Sequence, residues 1–298
     1  MNPAEKYGKW KNAPAIFNYL NTTKLLFKIS TYKGTSTIVL EDGTTFRYNN
    51  NFMKDLTDID AFALSNNVES YTGNVKVYFS HGLKDVYSLC FPSTGANLNN
   101  NNRMVINDLG AFLRQFPNLY SYNFGGYYYA DNTFRPTVIG NFADIPDYLR
   151  KIKITTLDVL NTPSSVFLDL NLFPDNSLLE MFWHVGTNSI ASANLKVTGD
   201  LSNLPPRINF FRIEKVHTTS VITYTPGKVW ASEFDTFYLN ITLPTTIIND
   251  ILIDMDNSIR TAIGSKVIYL KGTRTATQES DAAILALQNK GFTITINA

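Results

Sequence analysis

The chain has 298 residues and a net charge of +1, and its charged fraction of 17% lies below the share of about 25% that is usual in soluble domains. This balance argues against nucleic acid or an acidic membrane as a partner. Because Cys90 is the one cysteine and the three histidines lack metal-ligand spacing, we predict no intrachain disulfide, no metal and no cofactor. Without a basic stretch before an apolar run, or a segment long enough to cross a membrane, we expect a protein made in the cytoplasm with no signal peptide.

The N-terminal region, residues 1–72, is predicted to be rich in short strands. β-branched and aromatic residues favour strands over 25–30, 35–40 and 44–49. The dipeptide Asp42-Gly43 predicts a hairpin turn between the last two. This region either caps the repeats that follow or docks the chain to another protein.

An internal repeat begins beyond this region. The segments GNFADIPDYLRKIKI (140–154) and GDLSNLPPRINFFRI (199–213) align without gaps and share Pro146/Pro205 and Ile154/Ile213. Their offset of 59 residues is about twice 29, which predicts one more unit between them. That unit is FPDNSLLEMFWHV, with Pro174 at the corner and with Met181 and Trp183 in its strand.

Extending the repeat in both directions predicts one short strand per unit, each with two inward residues and one outward residue between them. The inward pairs are Leu89/Phe91, Tyr122/Phe124, Ile152/Ile154, Met181/Trp183, Phe211/Ile213, Leu239/Ile241, Ile268/Leu270 and Ile294/Ile296. The outward residues are Cys90, Asn123, Lys153, Phe182, Arg212, Asn240, Tyr269 and Thr295. The pattern predicts an α/β repeat fold, a leucine-rich-repeat solenoid with short parallel strands, over residues 73–243.

The returning segments are predicted to be a mixture of extended chain and helix. Apolar residues with helical spacing predict helices over 245–257 and 278–290, the second ending at Gly291. Their predicted core faces are Ile248, Ile251, Leu252 and Met255 in the first helix, and Ala282, Leu285 and Ala286 in the second. Residues 244–298 therefore form a predicted cap of helix–strand pairs.

Motifs of catalysis are missing from the sequence. It contains no nucleophile elbow and no phosphate-binding loop, and Asp254 and Asp256 are expected to face solvent on a helix. We therefore predict a protein without enzymatic activity and without catalytic residues. A carbohydrate-active enzyme with two carboxylates across a cleft stays open as a third alternative.

Residues suited to binding occur at two kinds of position. Tyr127, Tyr128 and Tyr129 follow a predicted strand, where tyrosines can stack on sugars, contact a protein or pack on neighbouring repeats. The outward face of the strands is the surface that a solenoid presents to a partner. The candidates there are Lys153, His184, Arg212 and Asn240, although an outward histidine is more often only solvated.

The repeats and the C-terminal segment resemble a known family. The two aligned repeats are similar to the G-D-I-x-x-L-P-x-x-L leucine-rich repeats of bacteriophage tail proteins and bacterial surface proteins. The segments YTPGKVWASEFDTFYLNITLP, IINDILIDMDNS and KVIYLKGTRTATQESDAAILALQNKGFTITIN resemble the C-terminal cap of that family. The resemblance covers about residues 73–298, and the family has no fixed functional residues to carry over.

The resemblance implies a non-enzymatic structural protein of a bacteriophage virion: a tail-fibre, baseplate or receptor-binding component located in the tail. Its partners would be other virion tail proteins, bound through the N-terminal region, and a host surface glycan or protein. A homo-oligomer is compatible with this role. The alternative is a bacterial cell-surface or secreted leucine-rich-repeat adhesin, and the missing signal peptide favours the phage.

Overall fold

A computed structural model describes residues 14–22, 26–32, 35–40, 45–49, 62–63, 71–91, 104–124, 137–154, 165–184, 195–214 and 216–297. These residues form a mixed α/β fold with parallel strands in its sheets and few helices. The chain divides into two compact units. Residues 1–140 and 154–165 form the first unit, and residues 141–153 and 166–298 form the second.

The first unit contains the N-terminal strands. Its described strands are β1 (Ala15–Thr22), β2 (Leu26–Thr31), β3 (Thr35–Leu40), β4 (Thr45–Asn49), β5 (Phe62–Ala63), β6 (Tyr71–Phe79), β7 (Val86–Phe91), β8 (Met104–Ile106), β9 (Ser121–Phe124) and β10 (Thr137–Asn141), whose last residue belongs to the second unit. The three strands predicted from the sequence are confirmed as β2, β3 and β4. β3 and β4 pair antiparallel from Thr35↔Asn49 to Val39↔Thr45, as the hairpin prediction requires.

Parallel pairing in the first unit begins between β7 and β9. Leu89 lies opposite Tyr122, and Phe91 lies opposite Phe124, which is the register predicted from the repeat. A short helix, α1 (Leu109–Arg114), precedes β9, and the carboxylate of Asp108 caps it by accepting the Ala111 N–H at 2.9 Å. The helix packs through aromatic contacts such as Phe17 against Phe112, whose ring centroids lie 5.8 Å apart.

The second unit contains two sets of strands and two longer helices. Its elements are β11 (Lys151–Ile154), β12 (Ser165–Asp169), β13 (Met181–His184), β14 (Leu195–Asp200), β15 (Phe210–Ile213), β16 (Val221–Thr223), β17 (Glu233–Thr242), α2 (Thr245–Ser258), β18 (Thr261–Lys271), α3 (Gln278–Asn289) and β19 (Thr293–Asn297). The last residue of β11 and the first residue of β12 belong to the first unit. One set runs in the order β11-β13-β15-β17-β18-β19, and every neighbouring pair from β13 onward is parallel. The other set, β12-β14-β16, is also parallel.

Three equivalent turns of the second unit are each held by a side-chain oxygen. Oδ1 of Asn141, of Asp169 and of Asp200 each accepts the N–H two residues later, at 2.9, 3.1 and 2.8 Å. Such local bonds are what make Asn and Asp favourable in turns. The same oxygen of Asn141 accepts the N–H of Asp169 at 3.2 Å, and that of Asp200 accepts the N–H of Thr225 at 3.1 Å. One turn is therefore tied to the next.

The prolines mark an equivalent corner in three successive repeats. The carbonyl oxygens of Pro146, Pro174 and Pro205 each accept the N–H three residues later, at 3.1, 2.9 and 3.0 Å. Each proline is therefore the first of the four residues of a β-turn. Just before the next strands, the carbonyls of Arg150, Glu180 and Asn209 each accept two N–H groups from the following repeat. The same backbone arrangement therefore recurs about every 30 residues.

The predicted facing of β13 is wrong. Trp183 and Met181 were expected in the core and Phe182 outside, but Phe182 and His184 are the buried residues, with 0% and 4% exposure. Phe182 pairs with Phe211, and Trp183 pairs with Arg212. Compared with the repeats that contain Pro146 and Pro205, this repeat has two additional residues between Pro174 and its strand. The prediction allowed for only one additional residue. An odd error in register turns every side chain of a strand to the opposite face.

The predicted register of β17 is wrong by two residues. Ile213 pairs with Leu239, and Leu239 pairs with Leu270, whereas Ile241 was expected at that position. An even shift leaves the facing unchanged, and Ile241 is still buried at 5% exposure. The shift does change the outward neighbour of Arg212, which is Tyr238 and not Asn240. The predicted pairing of β18 with β19 is confirmed, with Ile268 opposite Ile294.

The two predicted helices are confirmed as α2 and α3. The predicted core face of α2 is fully buried, and Gly291 takes a φ of +103° just beyond the end of α3. The predicted face of α3 is wrong, because Leu285 is 60% exposed while Ala283 and Leu287 are buried. Ala282 is also exposed, and Ala286 is half-buried. Across the described part of the chain, no helix combines the length and the apolar character needed to cross a membrane.

Candidate functional site

A continuous row of side chains crosses the outward face of the second unit. Strand pairing places Trp183, Arg212, Tyr238 and Tyr269 opposite one another on β13, β15, β17 and β18. Lys153 extends the row on β11, the strand next to β13. We call these five residues the outward ladder, and each of them is half-buried.

The members of the outward ladder contact one another through ring faces and cationic groups. The Lys153 ammonium lies 4.1 Å from the centre of the Trp183 ring. The Arg212 guanidinium lies between two rings, 5.8 Å from Trp183 and 5.1 Å from Tyr238. Tyr238 and Tyr269 stack at 4.2 Å with an interplanar angle of 9°. Cation–π contacts of this kind contribute about 0.5–1 kcal/mol each at partly exposed positions.

Polar groups beside the ladder hold it in place. Glu214 pairs with Arg212 at 2.5 Å and also accepts from Arg212 Nε at 2.6 Å. The amide of Asn240 donates to the Glu214 carbonyl at 2.6 Å. Glu214 is itself held by both neighbouring strands, because its N–H donates to the His184 carbonyl of β13 and its carbonyl accepts from Asn240 of β17. Its carboxylate in turn orients the guanidinium between the two rings.

The hydroxyl of Tyr238 is a hydrogen-bond donor at neutral pH. Burial, the neighbouring Tyr269 and the charge of Glu214 raise the pKa of Tyr238 above its usual value. Its hydroxyl therefore stays protonated. The Asn297 amide lies 3.5 Å from the Tyr269 hydroxyl, so the polar row continues to β19.

The positions of the predicted binding residues divide into three groups. Lys153, Arg212 and Asn240 lie on the outward face, where the sequence placed them. His184 does not, because it faces the core, and burial lowers its pKa to about 4. The prediction for Tyr127, Tyr128 and Tyr129 concerns residues outside the part of the chain that the structure describes.

Three members of the ladder were not predicted as candidates. Trp183 was assigned to the core by the error in β13, and Tyr238 was not assigned to the outward column because that column used Asn240. Tyr269 was in the outward column but was not singled out. The available signal was the segment Phe237-Tyr238-Leu239 within β17, which repeats the apolar–aromatic–apolar order of Ile268-Tyr269-Leu270.

The carboxylates of α2 have structural roles. The prediction that Asp254 faces solvent is wrong, because it is 9% exposed and accepts the Tyr224 hydroxyl at 2.7 Å and the Gly227 N–H at 2.6 Å. Asp256 pairs with Lys290 of the α3 end at 2.6 Å. Within the described ranges, no group of three or more His, Cys, Asp or Glu side chains is arranged to hold a metal ion.

A half-buried lysine next to this network, Lys228, also has a structural role. Lys228 Nζ donates to the backbone carbonyls of Ser202 at 3.0 Å and Leu204 at 2.7 Å. Burial lowers its pKa to about 8. The ammonium thus binds the last carbonyls of the turn in the preceding repeat, which is a favoured position for a cation.

The first unit has a shallow depression of its own. Its volume is about 300 Å³, and its lining includes Tyr32, His81, Lys84, Asp85 and Asn118. The Tyr32 hydroxyl donates to the backbone carbonyl of Asn118 at 3.1 Å. The side-chain amide of Asn118 donates to the backbone carbonyl of Lys84 at 2.8 Å. Three of the residues that line the depression, Tyr32, Lys84 and Asn118, are therefore already hydrogen-bonded to one another.

Comparison with known proteins gives no match, whether the chain is compared with protein-family models, with curated proteins or with solved structures.

Proposed function

We propose that this chain is a non-enzymatic binding protein built as a leucine-rich-repeat solenoid, and that it serves as a tail-fibre, baseplate or receptor-binding component of a bacteriophage virion. The observation that carries the binding role is the outward ladder. A row of five half-buried cationic and aromatic side chains lies on the strands of one sheet, and contacts among its members hold it together. Preorganised groups bind at a lower entropic cost than mobile ones.

Several features support the solenoid within this proposal. The side-chain turn, the proline corner and the doubly accepting carbonyl recur in three successive repeats of the second unit. Parallel strands joined by short returns at such a period are typical of leucine-rich repeats. In such arrays each repeat contacts mainly its neighbours, so an extended face becomes available for a partner.

The chemistry of the face favours binding over hydrolysis. Hydrolysis of a glycoside by the usual mechanism needs two carboxylates on opposite sides of the bond. Among the described residues next to the ladder, the carboxylate is that of Glu214, and it is paired with Arg212. Asp254 and Asp256 lie on α2 in contacts of their own.

The assignment to a virion rests on the resemblance of residues 73–298 to phage tail repeats and their cap. In this proposal the N-terminal region contacts other tail proteins, and the outward ladder contacts the host surface. A homo-oligomer would present several ladders at once and raise the avidity. The bacterial adhesin would use the same face, but it would be found on a cell envelope.

Two measurements test the proposal. Mass spectrometry of purified virions should detect the protein, and its absence from the particles would remove the virion assignment. Fluorescently labelled chain should bind host cells, and Arg212→Gln should reduce that binding. The matched control is Lys196→Gln, which removes a half-buried cation from β14 in the other strand set. If Arg212→Gln and Lys196→Gln bind cells equally well, the ladder is not the binding surface.

A further inference from the structure

The strand β19 forms one edge of its sheet. Among the described strands it is hydrogen-bonded to β18 on one side, in a register without a bulge. The inward residues of β18, Ile268 and Leu270, are fully buried. Ile294 and Ile296 lie opposite them on β19, but these two side chains are only half-buried. The apolar core of the repeats is therefore incompletely covered at this edge.

The residues of β19 do not protect the edge against pairing with another strand. Proteins normally protect such edges with charges, prolines, bulges or very short strands. Among the other edge strands that the structure describes, β5 and β16 have two and three residues, and β4 contains Arg47. The sequence of β19 is TITIN, five residues without a charge or a proline, of which four are β-branched. Such a strand is well suited to pair with a further strand.

The helix α3, which packs against β19, adds apolar side chains to this end of the unit. Lys290 just beyond α3 pairs with a carboxylate of α2, so that side of the helix faces α2. Ile284 and Leu285 lie about 120° and about 140° round the helix from Lys290, on the flank that faces away from α2. Ile284 is half-buried and Leu285 is 60% exposed. Asp281 on the same flank is paired with Arg274.

The backbone groups at the open edge are those of Ile294 and Ile296. The carbonyl of Asn297 accepts the Gly272 N–H at 2.6 Å, so Asn297 bonds toward β18. Successive residues of a strand point their N–H and C=O groups to opposite sides. Thr295 therefore bonds toward β18 as well, whereas Ile294 and Ile296 point away from it.

A second copy of the chain fits this edge in one antiparallel register. When Thr295 lies opposite Thr295 of the second copy, Ile294 lies opposite Ile296 and exchanges both backbone hydrogen bonds with it. A two-fold axis then passes between the threonines, and the isoleucines of both copies meet on the core face. A shift by one residue would place outward-pointing groups opposite groups that are already bonded to β18. Because β19 has no charged residue, no like charges meet across the axis.

We infer that β19 is a homodimer interface, at which two copies of the chain pair antiparallel about Thr295 and join their sheets into one. A two-fold interface requires a surface that is complementary to itself, and β19 is complementary to itself in its backbone groups, its apolar residues and its lack of charge. The interface is independent of the outward ladder. It gives the homo-oligomer of the proposed function a defined contact, with the ladders of both copies on one continuous face.

Sedimentation velocity of the full chain over a concentration series tests the dimer. We expect the mass to rise with concentration from the chain mass of 33.5 kDa to twice that value. Thr295→Lys should raise the dissociation constant at least about tenfold, because it places two like charges opposite each other at the axis. Thr295→Glu should do the same, and an equimolar mixture of these two variants should form dimers again.

The matched control is Thr198→Lys. Thr198 is a half-buried threonine of β14, which is paired on both sides, with β12 and with β16. A lysine there adds the same charge away from the β19 edge, so this variant should dimerise like the unmodified chain. Circular dichroism of each variant checks that it is folded.

Disulfide formation tests the register. Thr295→Cys places two thiols at a non-hydrogen-bonded pair whose Cα atoms are about 4.5 Å apart, which a disulfide can bridge. Mild oxidation should therefore cross-link this variant, and the unmodified chain shows how much Cys90 contributes. Thr293→Cys lies opposite Asn297 of the second copy, so it should cross-link no better than the unmodified chain.

Three results would overturn the inference: a single species of the chain mass at every concentration, a dimer that persists in Thr295→Lys, or equal cross-linking of Thr293→Cys and Thr295→Cys. The proposed function fails separately. Arg212→Gln should weaken attachment to cells and still dimerise, so the receptor-binding role and the β19 interface are each tested without the other.

Discussion

His184 should make the stability of the fold depend on pH over a defined range. It replaces the isoleucine found at equivalent positions of the neighbouring strands, such as Ile213, with which it pairs. The side chain is 4% exposed, and its Nδ1 has no hydrogen-bond partner among the described residues. Burial lowers its pKa from 6.5 to about 4, because the charged imidazolium cannot be solvated there.

The sign of the effect follows from proton binding. Between pH 6.5 and about 4 the unfolded chain binds a proton at His184 and the folded chain does not. Stability is therefore fully present above pH 6.5, decreases as the pH falls, and stops decreasing from this cause below about pH 4. The pKa difference corresponds to about 3 kcal/mol over the whole range.

Urea denaturation followed by tryptophan fluorescence, at several pH values from about 8 to about 4, measures this dependence. His184→Ile should remove about 3 kcal/mol of the pH-dependent loss and be at least as stable as the unmodified chain near neutral pH, since an unpaired buried polar group disappears. His217→Gln, at an exposed histidine, is the matched control. If His184→Ile keeps the original pH dependence, His184 is not the buried neutral group that its position implies.

The remaining predictions concern the core register and a helix cap. Ile213→Asp should cost several kcal/mol because it places an unpaired charge at a fully buried position, whereas Arg212→Ala should cost about 1 kcal/mol by removing its partly exposed ring contacts. Urea denaturation measures both, and equal losses would contradict the facing of β15. Thr277→Ala should cost about 1 kcal/mol because Thr277 Oγ1 accepts the Ser280 N–H at 3.1 Å and caps α3. Thr277→Ser should retain that stability in the same measurement, and an equal loss would exclude the cap.

The sequence predicted the parts of the fold in which local pattern and packing agree. α2 has four apolar residues with helical spacing, and all four are fully buried. In α3 the segment AAILAL is apolar at every position, so the spacing alone could not tell which side faces the core. The buried side proved to be that of Ala283 and Leu287, one residue away from the predicted face.

The candidate site was harder to predict than the fold because it depends on register between strands that are far apart in sequence. Lys153 and Arg212 could be placed outside from their own repeats, which share an ungapped motif. Trp183 lies between them in space, but a two-residue insertion after Pro174 had to be counted correctly to find it. The error of one residue in this loop exchanged Phe182 for Trp183 in the predicted core, and because both are aromatic the apolar pattern did not reveal it. The same error breaks the ladder between its first and third members, because Trp183 is the residue of β13 that contacts both Lys153 and Arg212.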